Sequence, residues 1–281
     1  MTPLLSRHEK ANLLRRLHQG PKILVLPNAW DAASARLFEE AGFPAIASTS
    51  AGIAFTLGYP DGQIIPRDEM LFMLRRIIAS VNAPVTADIE AGYGAHSVKE
   101  VLTTMRGVLA AGAVGINLED VADDGVSLVN IDFQSDKIEA VRSVGAADGV
   151  LPVINARTDV FAIASIPEEE RLAIAIERGN RYLGAGADCV FVPFVKDAAT
   201  ISALSQGIHG PLNILALPGG PSALELEKLG VARVSVGGGP CRAAMAFTRS
   251  VAKELHEFGT YTRFTENTMS YADANHLFSQ K

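Results

Sequence analysis

The chain has 281 residues, 48% of them hydrophobic, and a formal net charge of −6. This length and apolar content allow a large core without disulfides and suit one α/β barrel. The acidic balance and the lack of any basic run argue against a nucleic-acid surface and a polybasic membrane patch. Since no stretch reaches ~18 uninterrupted apolar residues, we expect no transmembrane helix.

The cysteines and the amino-terminal segment predict a reduced, cytoplasmic protein. Cys189 and Cys241 are too few for a disulfide framework, and both lie in apolar or glycine-rich stretches. Residues 1–20 are polar and lack the continuous apolar core of a signal peptide.

In chain order, eight short apolar runs alternate with segments of helical period. The first run, 23–26, is followed by Asp31 as a helix N-cap, a helix over 32–40 and Gly42 as its stop. Further strands are predicted at 45–50, 84–89, 114–118, 151–156, 189–192, 213–217 and 233–236, and further helices at 67–81, 97–111, 136–144, 168–183, 198–205, 222–229 and 237–258. Strands this apolar are typical of a parallel sheet buried on both faces, so we predict a (β/α)₈ TIM barrel rather than an open, doubly wound sheet.

We expect residues 1–281 to form a single barrel domain. Residues 260–281 lie beyond the eighth unit and keep a high apolar content. Such a tail is expected to dock on the barrel or on a neighbouring subunit.

Acidic side chains collect where the third and fourth strands end. Asp88 and Glu90 are two residues apart and point to the same side, and Glu119 follows the next strand. Carboxylates this close repel one another unless a cation lies between them, and a hard ion such as Mg²⁺ fits that need. Zinc is disfavoured because the chain has no His-x-His or Cys-x-x-Cys pattern. The alternative is a group of capping or solvated acids.

Two further strand ends carry groups suited to anions. Arg157 ends an apolar strand, where its guanidinium could grip a substrate carboxylate or form an internal salt bridge. Residues 50–52, Ser-Ala-Gly, offer a hydroxyl and backbone N–H groups to a carboxylate, or simply form a tight turn.

Six segments together resemble the isocitrate lyase/phosphoenolpyruvate mutase superfamily, whose fold is a TIM barrel. They are LPNAWD at 26–31, SAG at 50–52, GYPD at 58–61, DIEAGYG at 88–94, NLED at 117–120 and NARTD at 155–159. Each segment is a modest signal, but their order and spacing over residues 26 to about 239 are specific.

The resemblance implies a metal site and a set of substrate contacts. Asp88 would be the principal ligand of Mg²⁺, with Mn²⁺ as the alternative ion, and Glu90 and Glu119 would hold it partly through water. The substrate-binding residues would be Ser50, Ala51, Gly52, Arg157 and Asn213, and the catalytic residues Asp61, near the reacting oxygen, and Arg157. The family passes through a metal-stabilised enolate or a related species, and its members exchange a last helix within homodimers or homotetramers.

The departures from the family bear on the substrate. Isocitrate-type lyases carry a Lys-Lys/Arg-Cys-Gly-His loop after the fourth strand, whereas residues 119–127 here contain no Cys, His or Lys. Phosphonate-processing members carry an Asp-Lys where this chain has Asp120 and Val121, although Asn130 could approach the site. Pro193 and Phe194 stand where relatives often place a Glu or a His, so we expect an apolar wall there.

Three hypotheses follow. The first is a Mg²⁺-dependent lyase that cleaves or decarboxylates a small 2-oxo- or 2-hydroxy-carboxylate, with oxaloacetate as the test compound. The second is a C–P enzyme acting on phosphonopyruvate, and the third is a protein that binds a 2-oxo acid without converting it. His96, close to the predicted site, is more simply explained as a solvent-facing residue.

Overall fold

The computed structural model describes residues 5–94, 97–266 and 268–279. Within them nine parallel strands form one sheet, in the order β1-β9-β8-β7-β6-β5-β4-β3-β2. The strands are β1 Leu24–Leu26, β2 Asn28–Ala29, β3 Ile46–Ser48, β4 Val85–Asp88, β5 Gly115–Glu119, β6 Val153–Arg157, β7 Cys189–Val192, β8 Leu212–Leu215 and β9 Arg233–Ser235.

The first two strands are halves of one barrel strand. Pro27 lies between them and has no N–H to donate to a ladder. β1 pairs with β9, whereas β2 pairs with β3, so the divided strand joins the two ends of the sheet. The predicted (β/α)₈ TIM barrel is therefore confirmed.

Helices alternate with the strands and surround the barrel. They are α1 Arg7–Leu17, α2 Ala32–Glu40, α3 Ser50–Thr56, α4 Arg67–Ser80, α5 Val98–Ala111, α6 Ile131–Asp148, α7 Glu168–Gly184, α8 Ala198–Gly207, α9 Ala223–Lys228, α10 Gly239–Phe258, α11 Thr262–Glu266 and α12 Tyr271–Ser279. Among the described residues, no helix combines the length and apolar character needed to cross a membrane.

Local chemistry explains where several helices begin. The carboxylate of Asp31 accepts the N–H of Ser34, as predicted for the N-cap of α2. Ser222 and Glu225 form a reciprocal capping box at α9. The side chain of Asn130 accepts the N–H of Asp132 and starts α6 five residues earlier than predicted.

Two helices that precede the carboxyl-terminal tail were missed by the sequence analysis. The second strand was predicted to run to residue 50, but β3 ends at Ser48 and α3 begins at Ser50, because Thr49 caps that helix. Helix α1 lies in a segment whose composition is polar. It buries Ala11 and Leu14 beside strand residues such as Leu24, and thereby covers the amino-terminal end of the barrel.

The carboxyl-terminal helices follow the eighth unit, as expected for the tail. Helix α12 packs against α2, where Nε of Arg36 donates a 3.0 Å hydrogen bond to the carbonyl of Leu277. Leu277 is buried, whereas most other large apolar side chains of the tail are exposed.

Candidate active site

Asp88, the last residue of β4, is held by three hydrogen bonds at the carboxyl end of the barrel. Its Oδ2 accepts the N–H of Ser50 at 3.0 Å and the hydroxyl of Ser50 at 2.7 Å. Its Oδ1 accepts the side-chain amide of Asn117 at 3.0 Å. A carboxylate offers about four lone-pair positions, so one position of Asp88 remains available for a ligand.

Glu90 lies two residues further on and is only 5% exposed. Its Oε2 accepts the N–H of Gln63, while its Oε1 is enclosed and has no hydrogen-bond partner. Burial, followed by the charges of Asp88 and Asp61, raises the pKa of Glu90 to about 8. A buried carboxylate oxygen without a partner, beside other acids, is suited to a cation or to its bound water.

Glu119 and Arg157 lie opposite each other in the β5–β6 register and form a buried ion pair. Nη1 of Arg157 is 3.1 Å from Oε1 of Glu119, and its Nη2 is 2.6 Å from Oδ1 of Asp159. Burial raises the pKa of Glu119, and the charge of Arg157 opposes that shift. Burial alone would lower the pKa of Arg157, but Glu119 and Asp159 more than offset it. Arg157 thus stays charged among these acids.

Asp120, which follows Glu119, faces a different environment. It is completely buried, and its Oδ2 accepts the hydroxyl of Tyr182 at 2.7 Å and Nη1 of Arg178 at 3.0 Å. Its Oδ1 accepts the N–H of Asp159. Asp120 therefore anchors α7 and the β6 loop instead of joining the open acid cluster.

Two adjoining spaces meet at these side chains. A deep cavity of about 290 Å³ reaches into the barrel and is lined by Asp88, Arg157 and Arg233, among others. An outer cavity of about 260 Å³ is lined by Glu90, Glu119 and the loop after β5. Ser50, Asp61, Arg157 and Phe194 border both, so the acids and the arginine face one connected site.

Strained backbone is concentrated around this site. Within the described part of the chain, the non-glycine residues with positive φ are Gln63, Glu90, Tyr93 and Phe194. Three of them line the cavities, and the N–H of Tyr93 is bound by Oε1 of Gln63. Such conformations are costly and persist mainly where a precise geometry is needed, which favours a functional role for this end of the barrel.

The acidic residues of this site fit a hard cation that keeps part of its water shell better than a cation bound only by protein ligands. Across residues 5–94, 97–266 and 268–279, no three His, Cys, Asp or Glu side chains converge closely enough to hold an ion directly. The free position of Asp88 and the unpartnered Oε1 of Glu90 nevertheless supply oxygen donors. Mg²⁺ commonly uses one or two carboxylates and keeps several waters, which suits this set.

The predicted substrate-binding residues are brought together only in part. Ser50 and Ala51 line the deep cavity, and Ala51 N–H, in the first turn of α3, lacks an intrahelical acceptor. Gly52 does not line it: its N–H faces Thr49, and a Cβ there would lie 2.7 Å from Cβ of Trp30. Asn213 is fully buried and exchanges hydrogen bonds with Ser235, a lining residue.

The remaining predictions concern the rim of the site. Asp61 lies on an exposed loop that borders both cavities, and burial of its carboxyl, with the charge of Asp88, raises its pKa. Phe194 borders the site as the expected apolar wall and lies 6.0 Å from the Arg157 guanidinium. Asn130 caps α6, and His96 lies outside the described residues.

The cysteines are remote from the loop after β5. Cys189 is fully buried in β7, and burial raises the pKa of its thiol to about 12. Cys241 is buried at the start of α10, where burial again raises the pKa. Neither thiol replaces the loop cysteine of the isocitrate-type lyases.

Sequence analysis placed Arg233 at the start of a strand but assigned it no role. It lines the deep cavity, as does Ser235 two residues later. The signal was present, since polar residues two apart on a strand face the same side. Arg233 is the first residue of β9, at the end of the strand opposite to the one where barrel enzymes gather their catalytic residues.

Comparison with known proteins identifies the family of the chain. A sequence profile of the family described as phosphoenolpyruvate phosphomutase matches residues 14–256. The chain belongs to the isocitrate lyase/phosphoenolpyruvate mutase superfamily. The fold and the family resemblance are thereby confirmed, and lyases and mutases are its relatives.

Three similar proteins illustrate the range of activities described among the relatives of this chain. An oxaloacetate decarboxylase of Bradyrhizobium diazoefficiens is 30% identical, over 90% of this chain and 86% of its own. A 2-methylisocitrate lyase of Bacillus subtilis is 33% identical, over 74% of this chain and 67% of its own. A solved structure from Burkholderia cenocepacia J2315, described only by class as a lyase/mutase, is 35% identical with a TM-score of 0.89 and covers 97% of both chains.

Proposed function

We propose that this protein is a Mg²⁺-dependent carbon–carbon lyase that decarboxylates or cleaves a small 2-oxo- or 2-hydroxy-carboxylate resembling oxaloacetate. The observation that carries the proposal is the cluster of Asp88, Glu90 and Glu119 beside Arg157 at one connected cavity. The similarity to an oxaloacetate decarboxylase supports it. We also propose that the protein is cytoplasmic.

Asp88 is the principal ligand in this scheme, and Glu90 and Glu119 act partly through water. A bound Mg²⁺, or Mn²⁺ in its place, supplies a Lewis acid for the 2-oxo group, where negative charge develops as the C–C bond breaks. The hydroxyl and N–H of Ser50 fix the orientation of Asp88 through its Oδ2.

Arg157 binds the substrate carboxylate. Its guanidinium has five N–H donors, of which two are used by Asp159 and one by Glu119. Two donors remain for a substrate, and the N–H of Ala51 adds another at the wall of the same cavity. Phe191, 5.8 Å from the guanidinium, restricts its position.

The loop after β5 lacks the cysteine of the isocitrate-type lyases, which favours decarboxylation over an aldol cleavage that requires that cysteine. Asp124 accepts hydrogen bonds from the N–H groups of Val126 and Ser127, which makes this loop a self-contained turn. Loss of the carboxylate that lies β to the 2-oxo group, as in oxaloacetate, needs an electron sink but no proton donor in its first step. Asp61, at the rim, is proposed to lie near the reacting oxygen and to return the proton that converts the enolate to pyruvate.

The test is pyruvate formation from oxaloacetate in the presence of Mg²⁺. We expect the protein to raise the rate above that of a blank with the same Mg²⁺ concentration, because free Mg²⁺ also promotes this reaction. A rate equal to the blank would refute oxaloacetate decarboxylation.

A C–P enzyme acting on phosphonopyruvate is the second candidate. The match to the phosphoenolpyruvate phosphomutase profile favours it, whereas the absence of a lysine after Asp120 does not. Phosphorus NMR of phosphonopyruvate incubated with the protein separates the two: a new phosphorus resonance would favour C–P chemistry.

A further inference from the structure

Arg233 is a buried cation in the interior of the barrel. It is the first residue of β9 and only 2% exposed, and it borders the same deep cavity as Asp88. Below it, helix α1 closes the amino-terminal end of the barrel, and His18 at the end of that helix contacts the guanidinium. Arg233 therefore lies between the closed base of the barrel and the cavity.

The guanidinium is poorly satisfied by the protein. Nη1 lies 3.5 Å from Nε2 of His18, and Nε has no hydrogen-bond partner. In the described part of the chain, no carboxylate oxygen lies within 4.0 Å of a nitrogen of this guanidinium. Two other arginines with little exposed surface do form ion pairs. Arg157 pairs with Glu119 and Asp159, and Arg178 pairs with Asp120.

His18 offers a lone pair but no negative charge. Its Nδ1 donates to the carbonyl of Leu14 at 2.8 Å, which leaves Nε2 as the acceptor facing Arg233. Burial, together with the charge of Arg233, lowers the pKa of His18 to about 4, so the ring is neutral at pH 7. Burial lowers the pKa of Arg233 to about 10, and this group remains a cation.

A buried charge is normally paired, because desolvation without a partner is costly. The charged residues lining the deep cavity are three arginines and two aspartates, Arg157, Arg233, Arg242, Asp61 and Asp88. In the proposed scheme Asp88 binds the metal and Asp61 lies on the exposed loop at the rim, so neither carboxylate of the cavity forms an ion pair with Arg233. The missing partner is then expected from the ligand.

We propose that Arg233 binds a second anionic group of the substrate, so that the deep cavity selects 2-oxo dicarboxylates over 2-oxo monocarboxylates. This inference rests on the proposed function, in which Arg157 would bind the first carboxylate and the metal, when present, would polarise the 2-oxo group. A cavity of about 290 Å³ is below the range of drug-sized ligands and suits a small diacid.

The test compares pairs of acids that differ only in the distal group. Oxaloacetate is matched with 2-oxobutanoate, and 2-oxoglutarate with 2-oxopentanoate, in each case a carboxylate against a methyl group. Dissociation constants are measured with Mg²⁺ present by isothermal titration calorimetry, in which the heat of binding is separated from the slower heat of any turnover. The proteins are wild type, Arg233→Met and, as a matched loss of charge, Arg76→Met at an exposed position of α4.

We expect wild type and Arg76→Met to prefer at least one dicarboxylate over its methyl-ended match by about 10- to 100-fold, as loss of a charge-assisted hydrogen bond implies. Arg233→Met should lose that preference. Should this variant fail to fold, Arg233→Gln, which keeps an amide donor for His18, is judged by the same criterion.

The outcomes separate this inference from the lyase proposal. Equal binding of both members of each pair by wild type, or an unchanged preference in the Arg233 variant, would overturn the role of Arg233 and leave the lyase proposal standing. No binding of any of the four acids by wild type in Mg²⁺ would overturn both.

Discussion

The guanidinium of Arg157 lies 3.1 Å from the carboxylate of Glu119, directly across the β5–β6 register. The same guanidinium also lies 2.6 Å from the carboxylate of Asp159, two residues later in the sequence. One cation thus neutralises two buried acids and still has donors directed at the cavity. In the proposed function the same guanidinium also binds the substrate carboxylate.

Arg157→Lys should impair substrate binding more than folding. Lysine keeps the positive charge between the two acids but loses the planar, forked donor set. We expect KM for the 2-oxo acid to rise about tenfold or more, with a small change in Tm. Steady-state kinetics and thermal melting of the same samples measure both. An unchanged KM would show that Arg157 serves only as an internal ion pair.

Asp120→Asn should destabilise the fold. The substitution leaves the partly buried guanidinium of Arg178 without its carboxylate, a change that typically costs about 3–5 kcal/mol. Urea unfolding measures the loss in the free energy of unfolding, and Asp136→Asn, at an exposed position of α6, is the control. A loss no greater than the control's would contradict the anchoring role of Asp120.

His18 should make stability depend on pH. Its pKa is about 4 in the folded chain, because of burial and then the charge of Arg233, against a reference value of 6.5. Between these values the unfolded chain binds the extra proton, so stability falls as pH decreases from 7 towards 4, by up to about 3 kcal/mol. His18→Gln should flatten this part of the profile of unfolding free energy against pH. An identical slope in the variant would exclude His18 as its source.

The carboxyl-terminal helices expose an apolar surface, which we propose is covered in a homodimer or homotetramer. The exposed side chains are Met245, Phe247, Leu255, Phe258, Tyr261, Phe264, Met269, Tyr271 and Phe278. Clustered exposed apolar groups often mark subunit contacts. We expect Phe258→Asp to lower the mass measured by light scattering, while Phe72→Asp, an exposed position on α4, leaves it unchanged. A monomeric wild type would refute the proposal.

The barrel was predictable because its units repeat a strong local signal. The strand at Cys189–Val192 and the helix at Ala32–Glu40 have their predicted bounds, since buried β-branched runs and a capping aspartate mark them clearly. Helix α1 was missed because only two of its residues are buried, within an otherwise polar segment. Its capping box, Ser6 with Glu9, was the available signal.

Site residues at the ends of strands could be predicted from the sequence. Contacts between side chains that are distant in sequence could not. The predicted end of the third strand placed both Asp88 and Glu90 at the same end of the barrel, although Glu90 follows β4 with a positive φ and lies outside the alternation of that strand. Two contacts could not be predicted, because they join side chains that are distant in sequence. The hydroxyl of Ser50 holds Asp88, and Asp120 accepts the hydroxyl of Tyr182. The position of Arg233 above a closed barrel base likewise required the packing of α1.

The most direct test of the account is the Mg²⁺-dependent rate of pyruvate formation from oxaloacetate by wild type and Asp88→Ala, measured in parallel. Asp136→Ala, which removes the same charge from an exposed helix, is the control. We predict that wild type and the control exceed the Mg²⁺ blank and that Asp88→Ala falls to it. Equal activity of all three proteins would contradict the assignment of Asp88 to the metal, and with it the mechanism proposed for this site.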